Sequence, residues 1–381
     1  MNALDEQRFS RTWAALRQAH AEWVAPGFVA GFWSQSTPGD LWVAALGERR
    51  THPETLPKLP LQADTVFDLA SLTKVMGTAT LAALLVDRGW MDWSSPLERY
   101  FPGITAPGVT LTHLLSHTAG YVAWQPLWEK MRDRFAGQPL ERVAVSLRQK
   151  AMRDLVLQIP PDVRPGERAV YSDISFLMLG FVLEEVTQLP LDEAISEWLW
   201  SPMGLDTASF RRVTCDPAQG RDDFVAATEI CPWRGGLLQG QVHDDNCWSM
   251  GGYAGHAGAF GSIRDVLQFA RVLMGSPDQQ RFLSPRVIEA MWSRVSMPAG
   301  CGRTLGWDTP SEQDSSAGHQ FSKNSVGHLG FTGTSLWIDR DAGVAVSLLS
   351  NRVHPSRENS KIKAFRPIFH DALRADLSRS G

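Results

Sequence analysis

The sequence predicts an α+β protein: one antiparallel sheet flanked by helices, assembled from both ends of the chain, with an all-helical lobe inserted between them. Two observations lead there. Strand-like runs are confined to residues 27–46 and 305–350, while residues 90–205 read mostly as helices broken by Pro and Gly. A chain of 381 residues is also long enough to bury a large core and to make two or three domain-sized units. The expected division is the first part of the α/β lobe over 1–75, the helical lobe over 76–209 and the second part of the α/β lobe over 210–381.

In order along the chain, residues 4–23 form an amphipathic pattern, with Leu4, Phe9, Trp13, Leu16 and Trp23 near helical spacing. Strands are expected at 27–33 and 41–46, joined through the turn signal Ser36-Thr37-Pro38-Gly39. Residues 67–70 lead into Ser71 and an Ala/Leu-rich helical run to about Arg88. The helical lobe offers candidates at 110–117, 124–135, 140–157, 173–187 and 191–200. Residues 206–261 read as irregular and rich in Gly, Asp and Arg. Helices near 263–275 and 284–296 follow, then strands at 305–308, 325–329, 334–339 and 344–350, and a last helix over 358–377.

Composition narrows the function classes. Hydrophobic content is 43%, charged content 20% and net charge −4, without a basic stripe, so nucleic acid is not an expected partner. The longest apolar run, 176–183, falls far short of a membrane span, so no membrane is expected either. The partner expected is a small-molecule substrate; oligomeric state is open. Cys215, Cys231, Cys247 and Cys301 make no C-x-x-C pair and read as reduced thiols. Residues 1–8 have neither a basic nor an apolar leader character, and the expected localisation is cytoplasmic.

Three motifs carry the chemistry. Ser71-Leu72-Thr73-Lys74 is an S-x-x-K tetrad at a helix start, and a three-residue spacing brings the amine to the serine side of the helix. A serine hydroxyl needs a base to become a nucleophile, and a lysine can be that base only where its pKa falls toward neutrality. Tyr171-Ser172-Asp173 follows the turn signal Arg164-Pro165-Gly166 and opens a strongly periodic helix. A tyrosine beside an ammonium can pass a proton to a leaving group. Gly327-His328-Leu329-Gly330-Phe331-Thr332-Gly333-Thr334 lies on a late strand, where glycines mark close approach of a ligand or another backbone.

In this order and spacing the three motifs resemble the serine β-lactamase and penicillin-binding-protein superfamily, closest to its class C-like branch of esterases and amidases. Leu114-Leu115-Ser116-His117-Thr118-Ala119-Gly120 resembles the helical-lobe signature of that family. The resemblance implies a β-lactamase/penicillin-binding-protein-like fold and hydrolysis through an acyl-enzyme. Ser71 would be the nucleophile, and Lys74 and Tyr171 its proton-handling partners. The backbone N–H groups of Ser71 and Phe331 would form the oxyanion hole, and Asp173, His328 and Gly330 would bind substrate. No cofactor is implied. Residues 227–235, 242–246 and 251–258 further resemble a recycling-linked subgroup with N-acetylmuramoyl-L-alanine amidases.

Two departures bear on substrate. His328 stands where β-lactamases carry lysine: a neutral imidazole can donate one hydrogen bond but holds no fixed charge. Asp173 replaces Asn and, if inward, would keep Lys74 charged. Both disfavour antibiotic hydrolysis.

The leading expectation is therefore a muropeptide amidase. The alternatives are a carboxylesterase or weak β-lactamase and, from another class, a non-catalytic sensor acylated once. His117 reads as a structural turn residue, and His243, Asp244, Asn246 and His256 as a cleft-bordering segment, with Glu229 and Arg234 paired nearby. The spacing of His243, Asp244, Cys247 and His256 matches no familiar zinc pattern, and no metal is expected. Most tryptophans read as core, with one or two lining a sugar-binding cleft. G-x-S-x-G and G-x-x-x-x-G-K-[ST] motifs are missing, which argues against an α/β-hydrolase and a nucleotide enzyme.

Overall fold

The computed structural model describes residues 1–215, 222–275 and 281–378. Its main sheet joins the two chain ends as expected. The hairpin Gly27–Ser34 and Leu41–Arg50 supplies two strands, and Ser350–Phe28 to Val344–Ser34 pairing docks the C-terminal strand Val344–Ser350 antiparallel against it. Ser335–Asp339 and Val326–Leu329 extend the sheet, again antiparallel. One departure is the outer edge, where Asn2–Ala3 pairs parallel with Trp42–Val43. Residues 2–3 are thus strand, and the first helix begins only at Ser10 and ends at Ala21.

The hairpin strand is buried along its whole length, which is why it reads as a continuous apolar run rather than an alternating one. Period-two geometry sends Phe28, Ala30 and Phe32 to one face, where they pack with Trp337, Leu348 and the helices Ser10–Ala21 and Ile362–Leu377. Val29 and Trp33 face the other core with Ile338, Leu349 and the helix Ile263–Met274. Gly31 lies under that helix. A Cβ there would sit 2.6 Å from the Trp42 carbonyl and 3.1 Å from Leu267, so only glycine permits the approach.

The helical lobe contains Leu111–Leu115, Leu127–Arg134, Val145–Val156, Asp173–Thr187 and Leu191–Ile195, with helical winding continuing through Met203. The apolar run at its centre is the buried core helix of the lobe, and no single helix among the described residues is long and apolar enough to cross a membrane. Residues 305–308, expected as a strand, make only isolated bridges: Asp308 pairs with Gly327, and Gly306 (φ +94°) turns the chain against Ala79. The stretch 206–261, expected as irregular, contains the short helix Asp245–Ser249, the two-stranded pair Ile230–Cys231 and Gly236–Leu237, and the short strands Ser209–Phe210 and Ala259–Gly261. With Phe67–Asp68, Ser209–Phe210 and Ala259–Gly261 make a three-stranded sheet that leads into Ser71. All four cysteines are free thiols.

Candidate active site

The main cleft, about 590 Å3, opens where the nucleophile helix, the lobe helix Asp173–Thr187 and the strand Val326–Leu329 converge. Ser71 lies at its floor. The preceding Ala70 has φ +47°, a left-handed conformation that costs a non-glycine residue free energy. Asp68 holds it there: one carboxylate oxygen accepts the Ala70 N–H at 2.8 Å and the other the His243 N–H at 2.6 Å. Burial raises the Asp68 pKa, against the pull of those two N–H groups. The helix then opens with a wider, π-type winding over Lys74–Ala79 before the regular turns Thr80–Asp87.

Lys74 is fully buried, and its ammonium meets three acceptors: Ser71 Oγ at 3.0 Å, Asp173 Oδ1 at 2.7 Å and the His256 carbonyl at 3.2 Å. Asp173 therefore points inward. Burial pushes the Lys74 pKa down, but the Asp173 carboxylate and Tyr171 outweigh it, and the net direction is upward, so the lysine is charged at rest. Asp173 is set by its own helix. It occupies the first turn, where the helix dipole favours an anion, and Ser172 caps that helix by accepting the Ser175 N–H. Because Asp173 is committed to Lys74, its expected role in binding substrate gives way to one in holding the lysine charged.

Tyr171 stands beside them, with the Lys74 ammonium 4.8 Å from its ring centroid and the Arg303 guanidinium 5.4 Å away. Its ring contacts those of His117 at 4.6 Å and His328 at 5.9 Å. His117 Nδ1 accepts the Ser172 N–H at 3.0 Å, the structural role expected of it. Burial, with Arg303 and Lys74 close by, pushes both His117 and His328 well below the ordinary histidine range, so both are neutral. The expectation that His328 offers substrate a hydrogen bond through an N–H is not met. Its Nδ1 lies 3.0 Å from the Leu329 carbonyl, which can only accept.

The glycine strand is fastened to the nucleophile segment by threonines. Thr332 Oγ1 donates to the Asp68 carbonyl at 2.7 Å and Thr334 Oγ1 to that of Leu69 at 3.0 Å. At Gly330 a Cβ would strike Thr334 Oγ1 and sit 2.6 Å from the Leu69 carbonyl, so this glycine is required by the seam. Beneath it, buried Arg366 donates to the Gly330 and Thr334 carbonyls at 2.6 and 2.8 Å, with its pKa pushed down to about 9 by burial and by Arg352. The Ser71 and Phe331 N–H groups have no acceptor among the described residues.

The segment 243–256 divides. His243, Asp244 and His256 line the cleft. His256 Nε2 is 2.9 Å from Asp244 Oδ1, and His243 stacks on Phe331. Asn246 does not line it: fully buried, it accepts the Trp128 N–H and donates to the Gln125 carbonyl, both at 2.9 Å, which fastens the helical lobe. Nor do Glu229 and Arg234 pair. Glu229 binds His243 and Arg357, while Arg234 binds Asp245. Asp173, Asp244 and His256 do come within 4.8 Å of one another, but the Lys74 ammonium already neutralises Asp173, and Cys247 donates its thiol to the Ala257 carbonyl. Trp124 is a half-exposed wall of the cleft, whereas Trp128 stacks on Trp233, which meets Trp248 edge-on.

A family model described as Beta-lactamase matches residues 11–366, nearly the whole chain and every motif above. The chain belongs to the β-lactamase family. Among curated relatives, a Salmonella paratyphi A protein named "Putative D-alanyl-D-alanine carboxypeptidase" is 28% identical over 335 residues, covering 81% of this chain and 74% of that protein. Two solved structures share the fold. EstCE1, described as a hydrolase with promiscuous acyltransferase activity, has a TM-score of 0.71 at 23% identity, covering 97% of this chain and 99% of that one. The octameric penicillin-binding protein homologue from Pyrococcus abyssi has a TM-score of 0.68 at 20% identity, covering 93% and 76%.

Family membership makes the chain a serine hydrolase and accounts for the three motifs. It does not by itself point to Arg303 or Arg366. Arg303 reaches Tyr171 from a loop, Arg366 reaches the Gly330 and Thr334 carbonyls from the C-terminal helix, and neither has a spacing that links it to a motif. Asp68 was within reach of sequence reasoning, since it lies three residues before Ser71, but its two backbone bonds depend on the fold.

Proposed function

We propose that the protein cleaves an amide of a cell-wall-derived muropeptide, in the manner of an N-acetylmuramoyl-L-alanine amidase, through an acyl-Ser71 intermediate. The observation that carries this is the grouping of Ser71 Oγ, 3.0 Å from the Lys74 ammonium, with Tyr171 and two unengaged N–H groups around one cleft. The substrate carbonyl oxygen would accept from the Ser71 and Phe331 N–H groups, where charge develops as Ser71 attacks. Since Lys74 is charged, it acts as an electrostatic and donor group rather than as the resting base. Tyr171 then accepts the Ser71 proton on its oxygen as it gives its own to the leaving nitrogen, and water reverses the relay to release the acid. Trp124 and Phe331, both about half exposed at 47% and 52%, offer faces against which a sugar ring can lie.

The curated relatives' carboxypeptidase name also concerns cell-wall peptides, while the EstCE1 likeness supports the esterase alternative. The test is intact-mass analysis with product identification after incubation with a fluorophosphonate, a nitrophenyl ester and a muropeptide mixture. Peptide release from the muramoyl group with label on Ser71 is expected. Ester turnover without muropeptide cleavage would make the protein a carboxylesterase.

A further inference from the structure

Tyr171 belongs to no strand and no helix. It lies just before the helix Asp173–Thr187, whose N-cap is Ser172, so neither a strand ladder nor helical winding fixes its backbone. The N–H groups on either side of it both go to one residue. The Val170 N–H donates to the His117 carbonyl at 2.9 Å, and the Ser172 N–H to His117 Nδ1 at 3.0 Å. The same His117 ring packs on the Tyr171 ring, with centroids 4.6 Å apart, and on Phe176 at 5.0 Å. One residue thus holds 170, 171 and 172.

The ring has no competing polar contact. Nδ1 accepts from an amide that can only donate, so the hydrogen of the neutral imidazole sits on Nε2. Burial, with the Arg303 and Lys74 cations close by, keeps the ring from taking a second proton. Nε2 is buried and has no acceptor among the described residues, so no other hydrogen bond sets the orientation of the ring. His117 also has φ +59°, a left-handed conformation that glycine adopts freely and that costs other residues free energy. An unpaired buried N–H and a strained backbone are both unfavourable, yet both occur at the residue that touches the proton-handling tyrosine. A turn alone needs neither the acceptor nor the flat face.

We propose that His117 is a positioning residue of the reaction, which acts through Tyr171 by holding its phenol oxygen toward Ser71 and Lys74. The proposal rests on Tyr171 as the proton carrier of the acyl-transfer relay and adds the residue that aims it.

The test is a double-variant cycle on hydrolysis of 4-nitrophenyl acetate, with Ser71→Ala as the blank. His117→Gly keeps the left-handed turn but removes both the acceptor and the ring. His117→Asn tolerates the same turn and returns an acceptor near the Nδ1 position, without the ring. In otherwise wild-type protein, His117→Gly should lower kcat/KM about 10- to 100-fold, the scale expected for a catalytic group displaced by about 1 Å. His117→Asn should recover part of that loss. In the Tyr171→Phe background no phenol oxygen is left to aim, so the factor for either substitution should shrink to within about twofold. Melting curves should show the same destabilisation in both backgrounds, because the hold on 170–172 does not involve the hydroxyl. An equal rate factor in both backgrounds would overturn the proposal and leave His117 a part of the fold alone. A wild-type rate in folded His117→Gly would overturn it too; if that variant does not fold, His117→Asn is judged by the same two criteria. Turnover unimpaired by Tyr171→Phe alone would instead remove the proton-relay reading on which the proposal stands.

Discussion

The two walls of the cleft meet the same constraint, ionisable groups withdrawn from water, and resolve it in opposite ways. On one wall the Lys74 ammonium pairs with the Asp173 carboxylate within hydrogen-bond reach, and His256 Nε2 lies 2.9 Å from Asp244 Oδ1. On the other, His328 and His117 have no carboxylate partner among the described residues and face Lys74 and Arg303, so burial keeps them neutral. One ion pair makes the difference. Where a carboxylate is supplied, as Asp173 is by the first turn of its helix, burial strengthens the charge, and where none is supplied, burial removes it. The cleft thus sets a fixed cation beside the nucleophile and fixed tautomers around Tyr171.

The largest effect should come from the atom both walls serve. Ser71→Ala is expected to lower turnover of a nitrophenyl ester by at least roughly 10^4-fold with an unchanged melting temperature. Fluorophosphonate label on any other residue would break the assignment. Next, Lys74→Ala and Tyr171→Phe should each cost about 10^2- to 10^4-fold, and the double variant far less than the product of the two, because they serve one proton path. Multiplying effects would mean that the charged wall and Tyr171 act independently.

Asp173→Asn tests the charged wall itself. With the carboxylate in place, the folded Lys74 pKa lies above its ordinary value of about 10.4, so its contribution to stability is present below that pH and is lost as pH rises through the folded value. Without it, burial dominates, the folded pKa drops below the ordinary value, and stability should instead rise toward alkaline pH. Urea unfolding between pH 7 and 11 distinguishes the two slopes, and parallel curves for wild type and variant would show that Asp173 does not hold the proton on Lys74. In the same variant the alkaline limb of the rate profile should shift by roughly 1–3 pH units to lower pH. The smallest effect is expected at the seam. Gly330→Ala forces a Cβ against Thr334 Oγ1 and the Leu69 carbonyl and should cost about 1–3 kcal/mol, read as a lower urea midpoint. An unchanged midpoint would mean that the seam yields without cost.

The elements were legible in sequence where burial leaves a regular imprint. The first hairpin strand, the lobe helix Asp173–Thr187 and the strands Val326–Leu329, Ser335–Asp339 and Val344–Ser350 fall within a residue or two of their expected limits, because apolar periodicity records which face is covered. The second hairpin strand runs four residues past its expected end, to Arg50. The first helix starts later than its pattern, since Leu4 joins the sheet edge through the Val43 carbonyl, and strand pairing overrides an amphipathic run. Residues 305–308 carry strand-like composition but turn at Gly306 against Ala79, a constraint that only the neighbouring helix imposes.

The same division holds in the site. By itself the sequence determined the three motifs, their order and the spacing of Ser71 and Lys74, because these are matters of covalent distance and helical geometry. Tertiary structure alone decided the rest: that Asp173 turns inward and keeps Lys74 charged, that Asn246 fastens the lobe rather than lining the cleft, and that Arg303 and Arg366 arrive from distant segments. It also decided which nitrogen of His328 carries the proton. Charge state and tautomer depend on what surrounds a group in three dimensions, and a buried ionisable side chain takes its chemistry from neighbours that no local spacing records.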